Sequence, residues 1–395
     1  MEEECKITLN TGLRGVTIAN TRICEVDGKN GRLIYRGYKI QDLAGASYEE
    51  VVHLLLHEYL PTAEELTAYR KRLAAEREIP ASLIAALRTC PSKALPMDIL
   101  QAAVPMLAHH DPDIAEYSKD AALRVAHRLV ARFPTIVAAW HRIRSGLDPV
   151  APSPELAHAA NFIYMLNDRM PEETAIRAID TALVLHAEHA FNASTFAARE
   201  VASTQAHMYA AVAAGVGSLS GALHGGANAK VMQMLLKLGS PDKVADFVNT
   251  ELDAGRKIFG LGHAVYDVDD PRAHILAPMS KALGERTGNP RWYEMSTLIE
   301  KTAKEIFRKR KSADIPVNVD FYSASLYHYL GIPVDLFTPV FAIARVAGWA
   351  AHVIEEQFAG AAPKPVLYRP ESEYVGDYCG PEVCEFVPIE NRKKE

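Results

Sequence analysis

Helical periodicity runs through most of the chain and limits the folds that it can adopt. From Ile40 onward, apolar residues recur at the three- and four-residue spacings of amphipathic helices, whereas the alternation typical of strands is confined to residues 14–36. No stretch has the spacing of a βαβ unit, and no Gly-x-Gly-x-x-Gly motif follows a strand, so a Rossmann domain is not expected. The pattern predicts an all-α protein with many packed helices and a small N-terminal β-hairpin.

Local signals predict where several helices begin. Ser47 is followed three residues later by Glu50, the spacing of a capping box, and Pro61-Thr62 precedes two acidic residues that favour a second helix start. In the hairpin region, the alternating stretches are residues 16–18 and 23–26. The periodicity predicts further helices over residues 99–107, 114–130, 135–145, 155–166, 172–196, 244–252, 292–310 and 339–349.

The composition is that of an ordinary globular protein and argues against several functional classes. The 395 residues suffice for two or three domains, and 49% are hydrophobic and 23% charged. The net charge of −6 does not suggest a nucleic-acid-binding surface, and we find no run of about 18 apolar residues that would indicate a membrane span. The acidic N-terminus lacks signal-peptide features and the five cysteines are scattered, so we expect a cytoplasmic protein whose thiols, including Cys379 and Cys384, are free.

Residues 185–231 hold the densest group of candidate functional residues. His186 and His189 are three positions apart and would share one face of a helix if this segment is helical. A single histidine in an Ala/Gly-rich helix is more often packed than functional. His224 is harder to explain by packing, because glycines lie on both sides and a predicted helix follows. At the positive end of that helix its imidazole would have a lowered pKa and remain a neutral hydrogen-bond donor.

Two short non-helical interruptions carry further titratable residues. The first, residues 260–272, contains His263 and Arg272, and the second, residues 315–323, contains Asp320. Side chains on loops between rigid elements are where binding and catalysis usually occur. We therefore treat both interruptions as candidate parts of a functional site.

Three arginines and one aspartate indicate the chemistry of that site. Arg345 interrupts an apolar helix, where a buried cation needs an anionic partner or ligand, and Arg369 lies near the C-terminus. Arginines bind carboxylates with fork geometry, so Arg272, Arg345 and Arg369 together predict a ligand with several carboxylates. Asp320 near neutral histidines predicts proton abstraction and stabilisation of the resulting enolate.

Two other kinds of site are less favoured. His186 and His189 have an i, i+3 spacing instead of the i, i+4 spacing of His-Glu-x-x-His, so we do not expect a metal site. Ser218 and Ser220 lack the Gly-x-Ser-x-Gly context of a nucleophilic serine.

Four segments, taken in order, resemble the citrate synthase family. They are LHAEHAFNASTFAAR, GALHGGAN, GLGHAVYDVDDPRA and NVDFYS, and the segments VDGKNGRLIYRGYKIQDLA and FTPVFAIARVAGWAAHVIEE resemble the same family. The resemblance extends over about residues 12–376. It implies an almost all-α homodimer, in which a large domain (residues 1–220 and 326–395) and a small domain (residues 221–325) close over the active-site cleft.

The resemblance also implies a reaction and a role for each candidate residue. Acetyl-CoA would condense with oxaloacetate, and hydrolysis of the thioester would give citrate and CoA, with no cofactor besides the acyl-CoA co-substrate. Asp320 would take a proton from the acetyl methyl, His224 would stabilise the enol or enolate, and His263 would polarise the ketone of oxaloacetate. Arg369 would reach the site of the partner subunit. The residues that would hold the carboxylates are His189, Arg272 and Arg345.

Several positions differ from the family pattern where basic contacts to the CoA phosphates are expected. These positions are Ala264, Asp267, Ala313 and Glu371. We therefore expect CoA to bind weakly or through other cations, since a lost charge contact costs affinity. The candidate cations are Lys257, Arg308, Lys309, Arg310 and Lys311.

Two alternative functions stay open at this point. A 2-methylcitrate synthase would use propionyl-CoA with the same residues, because one extra methyl group changes binding by only about 1–3 kcal/mol and leaves no sequence signature. A paralogue without catalytic activity would bind a dicarboxylate through Arg272 and Arg345 but would not need Asp320.

Overall fold

Helices form most of the structure, as the periodicity predicts. The computed structural model describes residues 11–13, 15–375 and 386–392 of the protein. The α-helices are α1 (Ile40–Leu43), α2 (Tyr48–His57), α3 (Ala63–Ala75), α4 (Ala81–Thr89), α5 (Pro96–Ala108), α6 (Lys119–Arg144), α7 (His158–Asn167), α8 (Glu173–His186), α9 (Ala193–Ser203), α10 (Met208–Ser220), α11 (Ala227–Leu238), α12 (Val244–Asp253), α13 (Pro271–Arg286), α14 (Arg291–Lys311), α15 (Val319–Tyr329) and α16 (Phe337–Gln357). Short 3₁₀ helices are Thr11–Leu13, Pro241–Lys243, Val334–Leu336 and Ile389–Asn391. The all-α prediction is confirmed, and the predicted capping box of Ser47 starts α2.

The N-terminal β-structure is a three-stranded antiparallel meander. Strand β1 (Cys24–Asp27) pairs with β2 (Arg32–Tyr35), and β2 pairs with β3 (Tyr38–Lys39). The predicted hairpin is thus present and gains a third short strand. Residues 16–18 form no strand, although they alternate in the sequence. They are exposed, and in the described structure no strand lies beside them to satisfy their backbone groups.

Helix α16 lies in the centre of the core. It packs against α6, α8, α9 and α10, and its Trp349 is one of the largest fully buried side chains. In the described part of the chain, Val334–Gln357 is the one helical segment long and apolar enough to cross a membrane, and 89% of its apolar window is buried inside the protein. Arg345 interrupts its apolar residues, so the sequence shows no continuous apolar run of this length. Its burial is that of a core helix.

The prediction of one helix over residues 172–196 is wrong. Helix α8 ends and α9 begins within this range, and a loop separates them. In that loop Ala190 has a left-handed φ of 49°, and the Asn192 side chain caps α9 by accepting a backbone N–H at 3.1 Å. His186 therefore ends a helix and His189 lies in the loop, so the two do not share one helical face.

Two other predicted boundaries also differ from the structure. The helices predicted over residues 114–130 and 135–145 are a single helix, α6, which contains Pro134. Asp320, predicted to lie in a loop, lies in the first turn of α15. The Asn318 side chain caps that helix by accepting the Asp320 N–H at 3.1 Å.

Candidate active site

One polar cluster beside α16 brings the predicted site residues together, except for Arg369. It is formed by the loop after α8, the turn before α11, the loop before α13, the start of α15 and the middle of α16. The imidazole rings of His189 and His263 are 5.9 Å apart. Burial has the largest effect on the pKa values of His189, His224 and Asp320, and the charge of Arg345 also acts on all three: it favours the neutral histidines and the ionised aspartate, so Arg345 belongs to the same cluster.

His224 lies in the turn before α11, and Ser194 fixes its ring. The Ser194 N–H donates to His224 Nε2 at 3.2 Å, and Ser194 Oγ lies 2.9 Å from the same nitrogen. Because Nε2 accepts a backbone hydrogen bond, the proton of the neutral ring is on Nδ1. Burial, and then the charge of Arg345, lower the pKa of His224 to about 4. The lowered pKa agrees with the prediction, but burial and not the helix terminus is its main cause.

His263 has the opposite tautomer. Its Nδ1 accepts the N–H groups of Val265 and Tyr266 at 3.0 and 3.1 Å, so the proton of the neutral ring is on Nε2. Nε2 lies 3.6 Å from Asp270 Oδ2. Burial lowers the pKa of His263 to about 4, although the charge of Asp270 opposes this change. At pH 7 both His224 and His263 are therefore neutral hydrogen-bond donors.

Asp320 is the carboxylate of the cluster that is suited to take up a proton. Burial raises its pKa to about 6, and the charge of Arg272 and a hydrogen bond from the Asn228 N–H offset only part of this effect. Asn228 lies in the first turn of α11, the helix that follows the His224 turn. Asp320 therefore faces the segment that holds His224. A pKa nearer to 7 makes a carboxylate a stronger general base than one at 4.

Arg272 is a buried cation with a fixed orientation. It is 3% exposed, and its guanidinium forks onto Asp270 with Nε–Oδ1 and NH2–Oδ2 distances of 3.0 and 2.7 Å. Its NH1 lies 3.4 Å from the Leu185 carbonyl oxygen, at the end of α8. Burial favours the neutral form, but the Asp270 carboxylate more than offsets this and raises the pKa of Arg272. Arg272 is therefore charged and held in place for an anion.

Arg345 is a buried cation that lacks an ion pair in the described structure. It is 1% exposed, its Nε donates to the His186 carbonyl at 2.9 Å, and its guanidinium lies 4.7 Å from the centre of the Phe341 ring. Burial lowers its pKa, and the charge of Glu188 opposes this. The Glu188 carboxylate itself is 3.0 Å from His352 Nε2. A buried charge without a close counterion favours binding of an anionic ligand.

His189 offers an unsatisfied polar atom to the same cluster. Its Nε2 is buried and has no hydrogen-bond partner in the described part of the chain. Burial, and then the charge of Arg272, lower its pKa well below the usual value, so the ring is neutral. Buried polar atoms normally have a partner, so this nitrogen is suited to a ligand oxygen.

Arg369 does not join the cluster within this chain. It is exposed and follows Tyr368, whose N–H donates to Ser203 Oγ at 3.2 Å and whose hydroxyl donates to Glu356 at 2.7 Å. These contacts fix the segment against the C-terminal ends of α9 and α16.

Ser194 and Asp270 are site residues that the sequence analysis missed. Asp270 could have been found, because it stands two residues before Arg272 and precedes a proline at a helix start. Ser194 carries no such signal, since its contact with His224 bridges 30 positions of the sequence.

No metal centre is evident in the described residues. Among them, no group of three or more His, Cys, Asp and Glu side chains could hold a metal ion. Cys24 is buried and Cys90 partly exposed, and both are free thiols. The predicted free thiols Cys379 and Cys384 lie outside the described residues.

Comparison with known proteins identifies the family. A family model described as citrate synthase, C-terminal domain, matches residues 12–371. The chain belongs to the citrate synthase family. Citrate synthase from Haloferax volcanii is 43% identical over an alignment of 391 residues, which covers 97% of this chain and 99% of that protein. 2-Methylcitrate synthase 2 from Corynebacterium glutamicum is 37% identical over 387 residues, covering 96% of this chain and 97% of that protein.

A solved structure of the citrate synthase family shows the same fold. The citrate synthase from Thermoplasma acidophilum, solved as a ternary complex with carboxymethyl coenzyme A and oxaloacetate, matches with a TM-score of 0.88 and 31% identity. The match covers 98% of this chain and 100% of that chain. The predicted family and fold are therefore confirmed, and the protein is an enzyme of the citrate synthase class, a transferase.

Proposed function

We propose that the protein condenses acetyl-CoA with oxaloacetate and hydrolyses the resulting thioester to citrate and CoA. The observation that carries this proposal is the placement of Asp320, with its raised pKa, in one cluster with two neutral histidines of opposite tautomer and two buried arginines. A base, two hydrogen-bond donors and fixed cations are what enolate formation beside a dicarboxylate requires.

The two buried arginines and His189 would hold the carboxylates of oxaloacetate. Arg345 lacks a close counterion, and Arg272 is held by Asp270 so that it cannot turn away. The unpartnered Nε2 of His189 would add one hydrogen bond. A carboxylate of the ligand would give Arg345 the close counterion that it lacks, and the second carboxylate would accept hydrogen bonds from Arg272 and His189.

Asp320 and His224 would form the enolate of acetyl-CoA. Asp320 removes a proton from the acetyl methyl group, and His224 donates its Nδ1–H to the thioester oxygen, where negative charge develops. The lowered pKa of His224 keeps the ring neutral at pH 7, so it donates through its single N–H, on Nδ1, and carries no positive charge of its own.

His263 would activate the second substrate. Its Nε2–H donates to the ketone oxygen of oxaloacetate and polarises the carbonyl carbon. The enolate carbon attacks this carbon, the C=O π bond breaks as the new C–C bond forms, and the ketone oxygen becomes an alkoxide. The alkoxide takes up one proton to become the citrate hydroxyl, which balances the proton that Asp320 removed from the methyl group. Water then cleaves the thioester and releases CoA as a thiol.

The nucleotide end of the acyl-CoA would lie in a cavity of about 210 Å³ beside α12 and α14. Its walls are apolar, and basic residues line the rim. Arg256 and Arg310 on this rim are paired with Glu251 and Asp253, at 2.8 and 2.5 Å. Lys257 is exposed and lines the same cavity, and it forms no ion pair with any of the described residues. Lys257 is therefore the candidate cation for a CoA phosphate.

We also propose the domain and subunit arrangement that the family resemblance implies. Residues 1–220 and 326–395 would form the large domain, and residues 221–325 would form a small domain that closes over the cleft and excludes water from the enolate. The exposed position of Arg369 supports the proposal that it serves the active site of a partner subunit in a homodimer.

Product analysis with two acyl donors tests this function. Acetyl-CoA and propionyl-CoA are each incubated with oxaloacetate, and the products and the two kcat/KM values are determined. The proposal predicts citrate as product and a higher kcat/KM for acetyl-CoA. The reverse ratio would indicate a 2-methylcitrate synthase, the activity named for the Corynebacterium relative. No product with either donor, while oxaloacetate still raises Tm, would indicate a binding protein without this activity.

A further inference from the structure

The turn between β1 and β2 contacts the loop that carries His263. The Asp267 N–H donates to the Gly28 carbonyl at 2.9 Å. The contact is so close that a Cβ atom at Gly28 would lie 2.0 Å from the Val265 carbonyl oxygen. Only glycine fits against the loop at this distance.

The peptide that Gly28 contacts is also the one that orients His263. The N–H groups of Val265 and Tyr266 both donate to His263 Nδ1. The next N–H along the chain, that of Asp267, is the donor to Gly28. One short peptide therefore holds the catalytic ring and is itself held by the β1–β2 turn.

The other end of the hairpin contacts the loop that carries His189. Tyr35, at the end of β2, is fully buried. Its hydroxyl lies 3.2 and 2.9 Å from the carbonyl oxygens of Leu185 and Glu188 and accepts the Glu188 N–H at 3.3 Å. The Leu185 carbonyl also lies 3.4 Å from Arg272 NH1. Tyr35 therefore fixes the backbone beside His189 and contacts the same carbonyl as Arg272.

We infer that the N-terminal β-hairpin positions the oxaloacetate-binding histidines, with Gly28 acting on His263 and Tyr35 acting on His189. Gly28 and Tyr35 are positioning residues, since neither is among the groups proposed to touch substrate. The inference rests on the proposed function of His263 and His189. A misplacement of about 1 Å at a reacting group can cost about a hundredfold in rate, so a device that fixes both rings is catalytically significant.

The variant Gly28→Ala tests this inference, with Gly45→Ala as the matched control. Neither glycine has a left-handed φ, and nothing lies within 4 Å of a Cβ atom at Gly45, so the two variants differ mainly in the contact with the His263 loop. We expect Gly28→Ala to lower kcat/KM for oxaloacetate by about tenfold or more and to change KM for acetyl-CoA by less than about twofold. Gly45→Ala should retain wild-type kinetics.

Four outcomes would overturn the inference or the function beneath it. Equal kinetic constants for Gly28→Ala and Gly45→Ala would refute the role of the turn, as would a loss that affects both substrates alike and follows a loss of Tm. If Gly28→Ala does not fold, the variant Tyr35→Phe tests the inference instead, since it removes only the hydroxyl group. A raised KM for oxaloacetate in this variant supports the inference, and wild-type kinetics refute it. A parallel His263→Ala variant with full activity would refute the proposed function itself.

Discussion

The pH dependence of catalysis should report the pKa of Asp320. With a pKa of about 6, this carboxyl group is about 90% ionised at pH 7 and about 9% ionised at pH 5, so a rate that requires the base falls about tenfold between these two values. His224 and His263 do not contribute over this range, because their pKa values are about 4 and both rings stay neutral. A carboxyl group of ordinary pKa would lose little activity above pH 5.

The assay is kcat/KM for oxaloacetate between pH 4.5 and 8 at constant ionic strength, with saturating acetyl-CoA. The expected profile has an acid limb near pH 6. Asp180→Asn is the matched control, since burial raises the pKa of Asp180 to about 7 but this residue lies outside the site, against the Tyr48 N–H. A profile that stays flat to pH 5, or a limb that disappears in Asp180→Asn, would refute the assignment to Asp320.

Three further predictions concern stability and substrate binding. Burial and the charge of Glu49 raise the pKa of Asp180 from 3.8 to about 7, so the folded state loses stability as pH rises through this interval and the group ionises. Asp180→Asn should therefore raise Tm at pH 8 but not at pH 4, and the gain in free energy of unfolding at pH 8 should be at most about 4 kcal/mol. Asp270→Asn should lower stability by about 3–5 kcal/mol, because Arg272 loses its buried partner, and oxaloacetate should raise the Tm of this variant more than that of the wild type. Lys257→Gln should raise KM for acetyl-CoA a few-fold and reduce its salt dependence, whereas an unchanged KM would place the CoA phosphates elsewhere.

Features that depend on residues adjacent in the sequence could be predicted, whereas features that depend on packing between distant segments could not. The capping box of Ser47 is a four-residue signal, and it is present as predicted. The break between α8 and α9 could not be predicted, because the Ala-rich pattern continues through it. Ala190 adopts a left-handed φ in this break, a conformation that alanine rarely adopts. The segments of the candidate site could be recognised singly by their histidines and arginines.

The electrostatic state of the site could not be predicted, because it depends on distant partners. The tautomer of His224 follows from Ser194, and that of His263 follows from two N–H groups which a tight turn directs at its Nδ1. The raised pKa of Asp320 results mainly from burial, which depends on how α15 packs in the folded protein.

Thiol release from acetyl-CoA by the wild type and by Asp320→Asn tests the proposed function most directly. Asparagine keeps the size of the side chain but cannot accept the methyl proton, and loss of a general base typically costs at least about a hundredfold. We predict release by the wild type that depends on oxaloacetate, and a loss of this order in the variant while oxaloacetate still raises its Tm. Release without oxaloacetate would contradict the proposed condensation, and a variant as active as the wild type would contradict the role of Asp320 as the base.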